Sequence, residues 1–136
     1  MKIAEIVRVD SKGRITIPMV VRETLNIIEG MNLILIADTE SRQITIAPLS
    51  AKPENLAEIR IEFKDVPGAF AKISEKLAEL GVDQVMTHCT TIKRGELAEC
   101  VIVVDTAPSK ASLDTIKREL LSLPEIQVIN VKPLKR

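Results

Sequence analysis

Hydrophobic and polar residues alternate with a period of two along much of the N-terminal part of the chain, which is typical of half-buried strands. The predicted strands are residues 3–9, 14–17, 32–38 and 43–47. Polar turn segments join them in pairs, at residues 10–13 and 38–42. Pro18 suits the first position of a short helix that runs to about Leu25. This part therefore reads as short strands around one helix.

The pattern changes after residue 58. Residues 59–64 alternate as a strand, and the next segment has apolar residues at helical spacing: Phe70, Ile73, Leu77 and Leu80. Gly81 ends this helix. Two further strands, residues 82–93 and 96–105, are joined by a tight turn at Arg94-Gly95.

A second helix has the same spacing of apolar residues: Leu113, Ile116, Leu120 and Leu123. Ser109 is its expected N-cap, and Pro124 ends it. A last strand covers residues 126–131. The order β-α-β-β-α-β predicts a ferredoxin-like sandwich with both helices on one face of an antiparallel sheet. Residues 101–104 are apolar on both sides of their strand, so the open sheet face is expected to be apolar and covered.

Weak periodicity and two prolines, Pro48 and Pro53, indicate a linker at residues 49–56 between an N-terminal domain, residues 1–48, and a C-terminal domain, residues 57–136. The first domain is too small to bury a sufficient core alone. We therefore expect a homodimer or homotetramer of an α+β protein.

Composition narrows the possible functions. The 19 basic and 19 acidic residues cancel, so a nucleic-acid site has to be a local basic patch. Two phenylalanines without Trp or Tyr argue against recognition of single-stranded bases by stacking. No apolar run is long enough for a membrane span or a signal peptide, which predicts a soluble cytoplasmic protein.

One motif is shared with a known family. The segment Val9-Asp10-Ser11-Lys12-Gly13-Arg14-Ile15-Thr16-Ile17-Pro18, followed by Val21-Arg22-Glu23, resembles the SpoVT/AbrB-like swapped-hairpin family over residues 3–48. The resemblance implies a dimer that binds double-stranded DNA through Arg8, Lys12, Arg14 and Arg22. Glu23 departs from relatives that carry two consecutive basic residues there. Without the resemblance, the same residues read as an ordinary solvated hairpin face.

The C-terminal half resembles an ACT domain through Asp65-Val66-Pro67-Gly68-Ala69-Phe70-Ala71 and Leu80-Gly81-Val82-Asp83. ACT domains are paired modules that commonly bind amino acids. The resemblance and the free N–H groups of a helix start imply a ligand site, with the following residues: Asp65, Val66, Gly68, Ala69, Phe70 and Asp83. In this interpretation the carboxylates of Asp65 and Asp83 bind the ammonium group of the ligand. The alternative is a capped helix start that binds nothing.

The two cysteines and the single histidine are the remaining chemical candidates. A tight turn at Arg94-Gly95 places Cys89 opposite Cys100 as a hydrogen-bonded pair, and we expect both thiols to be buried and reduced. His88 points to the other sheet face, so no Cys–His dyad forms. Without a fourth ligand at a suitable spacing, we expect no metal and no cofactor.

These observations favour a transcriptional regulator whose ACT domain senses a small molecule, an amino acid above all. Two alternatives stay open. One is an antitoxin-like protein that binds a partner toxin, and the other is a metabolite sensor that no longer binds DNA. We do not expect an enzyme, because the chain has no catalytic triad, metal motif or phosphate-binding loop.

Overall fold

The computed structural model describes residues 1–134, and the chain divides into two compact units between Leu49 and Ser50. Both units combine helices with antiparallel strands, so the predicted α+β class is confirmed. Lys135 and Arg136, the last residues of the predicted C-terminal domain, lie outside the described part.

The N-terminal unit contains one helix and one hairpin. Helix α1 covers Met19–Leu25, and strands β1 (Leu33–Asp38) and β2 (Gln43–Pro48) pair antiparallel with Ile36 opposite Thr45. Pro18 is the N-cap of α1 rather than its first helical residue. Ile34 and Ile36 are buried while Leu35 is exposed, which is the alternation that predicted this strand.

The two strands predicted at residues 3–9 and 14–17 are absent from the described chain. An extended segment becomes a strand only when its N–H and C=O groups pair with a neighbouring segment. Here the turn from Asp10 to Arg14 forms, but no ladder extends from it along either segment. Of the two isoleucines that the alternation places inward, Ile15 is 44% exposed and Ile17 is half-buried. Ile6, on the first of these segments, is 100% exposed.

The second unit has the element order β-α-β-β-α-β that the hydrophobic pattern predicted. A 3₁₀ turn at Pro53–Asn55, inside the predicted linker, precedes the first strand. The elements are β3 (Leu56–Phe63), α2 (Ala69–Glu79), β4 (Asp83–Lys93), β5 (Leu97–Asp105), α3 (Leu113–Leu121) and β6 (Ile126–Pro133). The strands form one sheet in the order β4-β5-β3-β6, with every neighbouring pair antiparallel.

The core of this unit lies between α2, α3 and one face of the sheet. Its fully buried side chains come from alternating positions of β3 and β5 and from the predicted helix faces: Ile59, Ile61, Cys100, Ile102, Ile73, Leu77, Ile116 and Leu120. Burial of a side chain of this size stabilises the fold by about 1.5–3 kcal/mol. The helices therefore bury the faces that their apolar spacing predicted.

The start of α3 corrects one expectation. Ser112, not Ser109, is the N-cap, and its hydroxyl accepts a 3.1 Å hydrogen bond from the backbone N–H of Thr115. Ser109 instead donates to the carbonyl of Leu80 at 2.6 Å and thereby ties the segment before α3 to the end of α2. Two serines three residues apart both fit the sequence rule, and only the tertiary contact distinguishes them.

The opposite sheet face is not the continuous apolar surface that we expected. Val103 on β5 is buried, but its neighbour on β3 is Glu58, which forms ion pairs of 3.6 Å with Arg60 and with Lys132. The face therefore combines an apolar strip with a charged strip. Within residues 1–134, no helix has the length and apolar content needed to cross a membrane.

Candidate functional site

A short turn at the tip of the N-terminal segment is held by one carboxylate. Asp10 Oδ1 accepts hydrogen bonds of 2.9 Å from the backbone N–H groups of Lys12 and Arg14. Its Oδ2 accepts a 2.8 Å bond from Arg14 Nε. The backbone N–H and the guanidinium of Arg14 hold the pKa of Asp10 below its ordinary value. Asp10 therefore stays ionised at neutral pH and defines the shape of the turn.

This turn presents two of the four predicted DNA-contacting residues. Lys12 and Arg14 are exposed, and Arg14 keeps 70% of its side chain accessible despite its ion pair with Asp10. Arg8 is also exposed, two residues before Asp10. Exposed cations that cluster on one chain segment are suited to contacts with phosphate oxygens.

Arg22 differs from the other three because it is half-buried on α1. Its guanidinium donates a hydrogen bond to the carbonyl oxygen of Ile17, which links the helix to the preceding extended segment. A guanidinium has five N–H donors, so this contact leaves donors for a second partner. Glu23 is exposed beside it, which keeps a negative charge close to the predicted contact.

The predicted ligand residues of the second unit lie mainly around the loop between β3 and α2. Gly68 adopts the left-handed conformation, with φ of 83°, at the N-cap of α2. Nothing lies within 4 Å of the position that a Cβ would occupy there, so the backbone is open to an approaching group. The N–H of Ala69 is already bound to the carbonyl of Val66 at 3.2 Å, and Ala69 itself is buried in the core. At least one N–H group of the helix start that was predicted to face a ligand is therefore used internally.

Asp65 also has an internal partner that the sequence did not indicate. Its Oδ2 accepts a 2.9 Å hydrogen bond from the backbone N–H of Gly95, in the turn between β4 and β5. A carboxylate oxygen has two lone pairs, so Asp65 can still accept from a ligand.

The placement of Asp83 is a correction. Asp83 lies opposite Asp105, which in turn lies opposite Leu56 at the first residue of β3. Asp65 comes two residues after Phe63, the last residue of the same strand. Eight residues of strand separate the two ends by about 23 Å, at roughly 3.3 Å per residue. Because helix α2 carries the chain back along the sheet, the two acidic residues cannot bind one small ligand within one chain.

A cavity of about 390 Å³ does lie at the loop between β3 and α2. Four of the six predicted ligand residues line it: Asp65, Val66, Gly68 and Phe70. Sequence reasoning missed the rest of the wall, which consists of Phe63, Ala71, Cys89, Thr90, Thr91 and Ala98. The hairpin register could have indicated part of this wall, because it places Thr91 opposite Ala98 and Cys89 opposite Cys100.

Cys89 and Cys100 are joined by a disulfide, so the expectation of two reduced thiols is wrong for this structure. Their predicted pairing across the hairpin is confirmed. The predicted hydrogen-bonded spacing is not, because a separation of 4.1 Å between the two Cα atoms belongs to the closer class of antiparallel pairs. A register shift between Thr91 and Lys93 changes the pairing near the turn, where Lys93 faces Leu97. The expectation that both cysteines are buried is confirmed for Cys100 and is wrong for Cys89, which is exposed at the cavity.

Comparison with known proteins gives a family match for one of the two units. The N-terminal unit matches the MazE antitoxin family. The match covers residues 6–54, and the family is described as antidote-toxin recognition MazE, a bacterial antitoxin. It supports an AbrB-like swapped-hairpin domain, and with it a DNA-binding or antitoxin-type role for this unit.

The MazE match contains all four predicted DNA-contacting residues and extends into the predicted linker. The cavity lies outside it. No curated protein matches the chain significantly. Among solved structures, the chain is similar to the C-terminal domain of the MgtC protein from Mycobacterium tuberculosis, with 9% identity and a TM-score of 0.46. That likeness covers 62% of this chain and 92% of the other, and at this level it says nothing about function.

Proposed function

We propose that the protein is a dimeric transcriptional regulator that binds double-stranded DNA and senses a small molecule through its C-terminal unit. The observation that carries the DNA-binding part is the turn at Asp10–Arg14, where one carboxylate fixes the backbone and leaves Lys12 and Arg14 exposed. This turn lies inside the MazE match. A preformed basic tip can contact phosphates without first losing conformational freedom.

The exposed apolar side chains of the N-terminal unit support the dimer. Ile6, Val9 and Ile15 are exposed at 100%, 64% and 44% on segments whose backbone forms no ladder. A second copy of the same segments would pair these backbones and cover these side chains. Such pairing would supply the two strands that the alternation predicted.

The C-terminal unit is proposed as an ACT-like domain. Its strand order β4-β5-β3-β6 and its β-α-β-β-α-β chain order support a ferredoxin-like arrangement. The cavity combines open backbone at Gly68 with a carboxylate at Asp65. These groups suit the carboxylate and the ammonium of an amino acid, respectively.

The sensing mechanism follows from linkage. A ligand in the cavity changes DNA affinity only if it binds one arrangement of the dimer more tightly than another. We propose no catalytic activity for the chain.

The family description favours one further candidate, an antitoxin that binds a partner toxin. Toxin-binding tails are often disordered, whereas the C-terminal unit here is folded around its own core. A pull-down with the full chain separates the two functions. Stoichiometric recovery of one toxin would favour the antitoxin, and recovery of DNA fragments without a protein partner would favour the regulator.

The direct test is a titration of labelled duplex DNA fragments with the purified full chain, followed by fluorescence anisotropy. Thermal unfolding is then measured against a panel of amino acids, with and without DNA. The proposal expects saturable DNA binding and a ligand-dependent rise in the unfolding temperature. A ligand-dependent rise in the unfolding temperature without any DNA binding would instead favour a metabolite sensor that does not bind DNA.

A further inference from the structure

We propose that the cavity is also a site of thiol–disulfide exchange, at which a small aminothiol reduces the Cys89–Cys100 disulfide by attack on Cys89. The proposal goes beyond the regulatory function and does not depend on DNA or on a bound metabolite. It rests on where the two sulfur-bearing residues lie and on the charge of the cavity wall.

The two halves of the disulfide differ in access. Cys89 lies on β4, at the edge of the sheet, is exposed and lines the cavity. Cys100 lies on β5, inside the sheet, and is 0% exposed in the core with Ile61 and Ile102. Exchange requires a thiolate to reach one sulfur of the disulfide. Only Cys89 offers such access in the folded protein.

The reaction at this site has two balanced steps. The incoming thiolate bonds to Cys89 Sγ, the disulfide bond breaks, and its electron pair goes to Cys100 Sγ, which takes up a proton. A second thiolate then attacks the sulfur of the small molecule in the mixed disulfide and releases Cys89 as a thiolate. Two small thiols are oxidised to one small disulfide, and the protein disulfide is reduced to two thiols.

The surroundings of Cys100 and its position opposite Cys89 control the forward and the reverse direction of the first step. A thiolate is disfavoured among apolar side chains, so Cys100 is a poor leaving group unless it is protonated as it leaves. The Cys89–Cys100 pairing across the strands also holds the two residues together, with 4.1 Å between Cα atoms, which favours re-formation of the bond.

The charge of the wall selects the class of thiol. Asp65 lines the same cavity as Cys89, and its carboxylate is held at the β3–α2 loop by the N–H of Gly95. A thiol that carries an ammonium group is attracted to this carboxylate, and a neutral thiol of similar size is not. Small aminothiols are therefore the expected reductants.

The experiment measures reduction of the full chain by cysteamine and by 2-mercaptoethanol, with acid quenching, alkylation and peptide mass spectrometry. The ratio of the two second-order rate constants is compared between wild type, Asp65→Asn and Asp83→Asn. Intrinsic thiol reactivity cancels between variants. We expect Asp65→Asn to lower the ratio about fivefold, the effect of an interaction of about 1 kcal/mol between unit charges in water. Asp83→Asn, at the other end of the sheet, should not change it.

Two further variants test entry through the cavity and guard against misfolding. Ala71→Trp places a large ring at the cavity wall. Ala78→Trp places the same ring at another exposed position of α2, one that does not line the cavity. We expect only the first to slow exchange, by about tenfold, because exchange depends on access to the sulfur. Asp65→Glu keeps the charge and should retain the preference for cysteamine.

The expected adduct is a mixed disulfide on Cys89 with none on Cys100. Equal labelling of both cysteines, a ratio unchanged by Asp65→Asn, or equal rates for the two tryptophan variants would overturn the proposal. Reduction at a rate independent of thiol concentration would also overturn it, because opening of the fold would then limit the reaction. Two free thiols in the untreated, air-exposed protein would also overturn the proposal. None of these outcomes bears on DNA binding.

Discussion

The carboxylate of Asp65 accepts a 2.9 Å hydrogen bond from the backbone N–H of Gly95, thirty residues further along the chain. The backbone N–H of Asp65 in turn donates to the carbonyl of Glu96 at 3.4 Å. These two bonds join the β3–α2 loop to the β4–β5 turn. The loop that carries Gly68 is therefore positioned by the hairpin that carries Cys89.

This relationship makes Asp65→Asn a specific test of ligand binding. The side-chain carbonyl of Asn can still accept from Gly95, so the loop is expected to keep its position while the charge is lost. In wild type, an amino acid at a hundred times its dissociation constant should stabilise the fold by about 2.7 kcal/mol. We expect a clearly smaller stabilisation in Asp65→Asn at the same concentration, measured by thermal shift.

Asp83→Asn is the matched control, because Asp83 lies at the opposite end of the sheet. Its ligand response should equal that of wild type. An equal loss in both variants would argue for a general effect of charge, and no loss in Asp65→Asn would place the ligand elsewhere.

Dimer formation should depend on the exposed apolar residues of the N-terminal segment. We expect wild type to have at least the mass of a dimer by light scattering at micromolar concentration. Ile6→Asp should shift it toward the monomer, because a buried, unpaired carboxylate opposes association. Ile92→Asp, which changes an exposed isoleucine of the second unit, serves as the control and should remain associated. A monomeric wild type would contradict the proposed dimer.

DNA binding should depend steeply on salt. With about four to eight phosphate contacts per dimer, the slope of log affinity against log salt is expected to be roughly −4 to −7. Arg14→Ala should reduce both the affinity and the slope, as measured by anisotropy over a range of salt concentrations. Lys52→Ala, outside the turn, should have a much smaller effect. Equal losses in the two variants would count against the Asp10–Arg14 turn as the contact surface.

Acid should destabilise the second unit partly through Glu125. The Lys72 ammonium, which donates a hydrogen bond to this carboxylate, holds the pKa of Glu125 below its ordinary value of 4.5. A carboxyl group whose pKa is lowered by folding stabilises the folded state at pH values above its ordinary pKa. This stabilisation is lost as the pH falls through the folded-state pKa. Urea unfolding of Glu125→Gln should therefore show a smaller loss of stability between about pH 6 and about pH 3 than wild type does.

Glu54→Gln is the control for that measurement, since Glu54 is an exposed carboxylate in the 3₁₀ turn. It should follow the wild-type pH dependence. The same curve for Glu125→Gln and wild type would show that the ion pair with Lys72 does not contribute.

The cost of substituting Gly68 is expected to come from its backbone conformation and not from its surroundings. Its φ is 83°, and no atom lies within 4 Å of an added Cβ. Gly68→Ala should cost about 1–2 kcal/mol of unfolding free energy, the usual cost of the left-handed conformation for an L-residue. Gly68→Asn should cost less, because Asn adopts this conformation more readily. Urea unfolding in which Ala is no worse than Asn would contradict this explanation.

The sequence by itself determined the local features of this protein. The apolar spacing of α2 and α3, the β1–β2 hairpin and the order of elements in the second unit follow from periodicity and from turn residues, which act over a few positions. The pairing of Cys89 with Cys100 also followed, because a tight turn determines the register of the strands that it joins.

The tertiary structure decided what depends on distant parts of the chain. It separated Asp83 from Asp65, because the crossover through α2 returns the chain to the other end of the sheet. It gave the carboxylate of Asp65 a hydrogen bond from the N–H of Gly95, and it made Ser112, not Ser109, the N-cap of α3. It left residues 3–9 and 14–17 without a ladder, because a strand pattern states which face is apolar but not which backbone pairs with it.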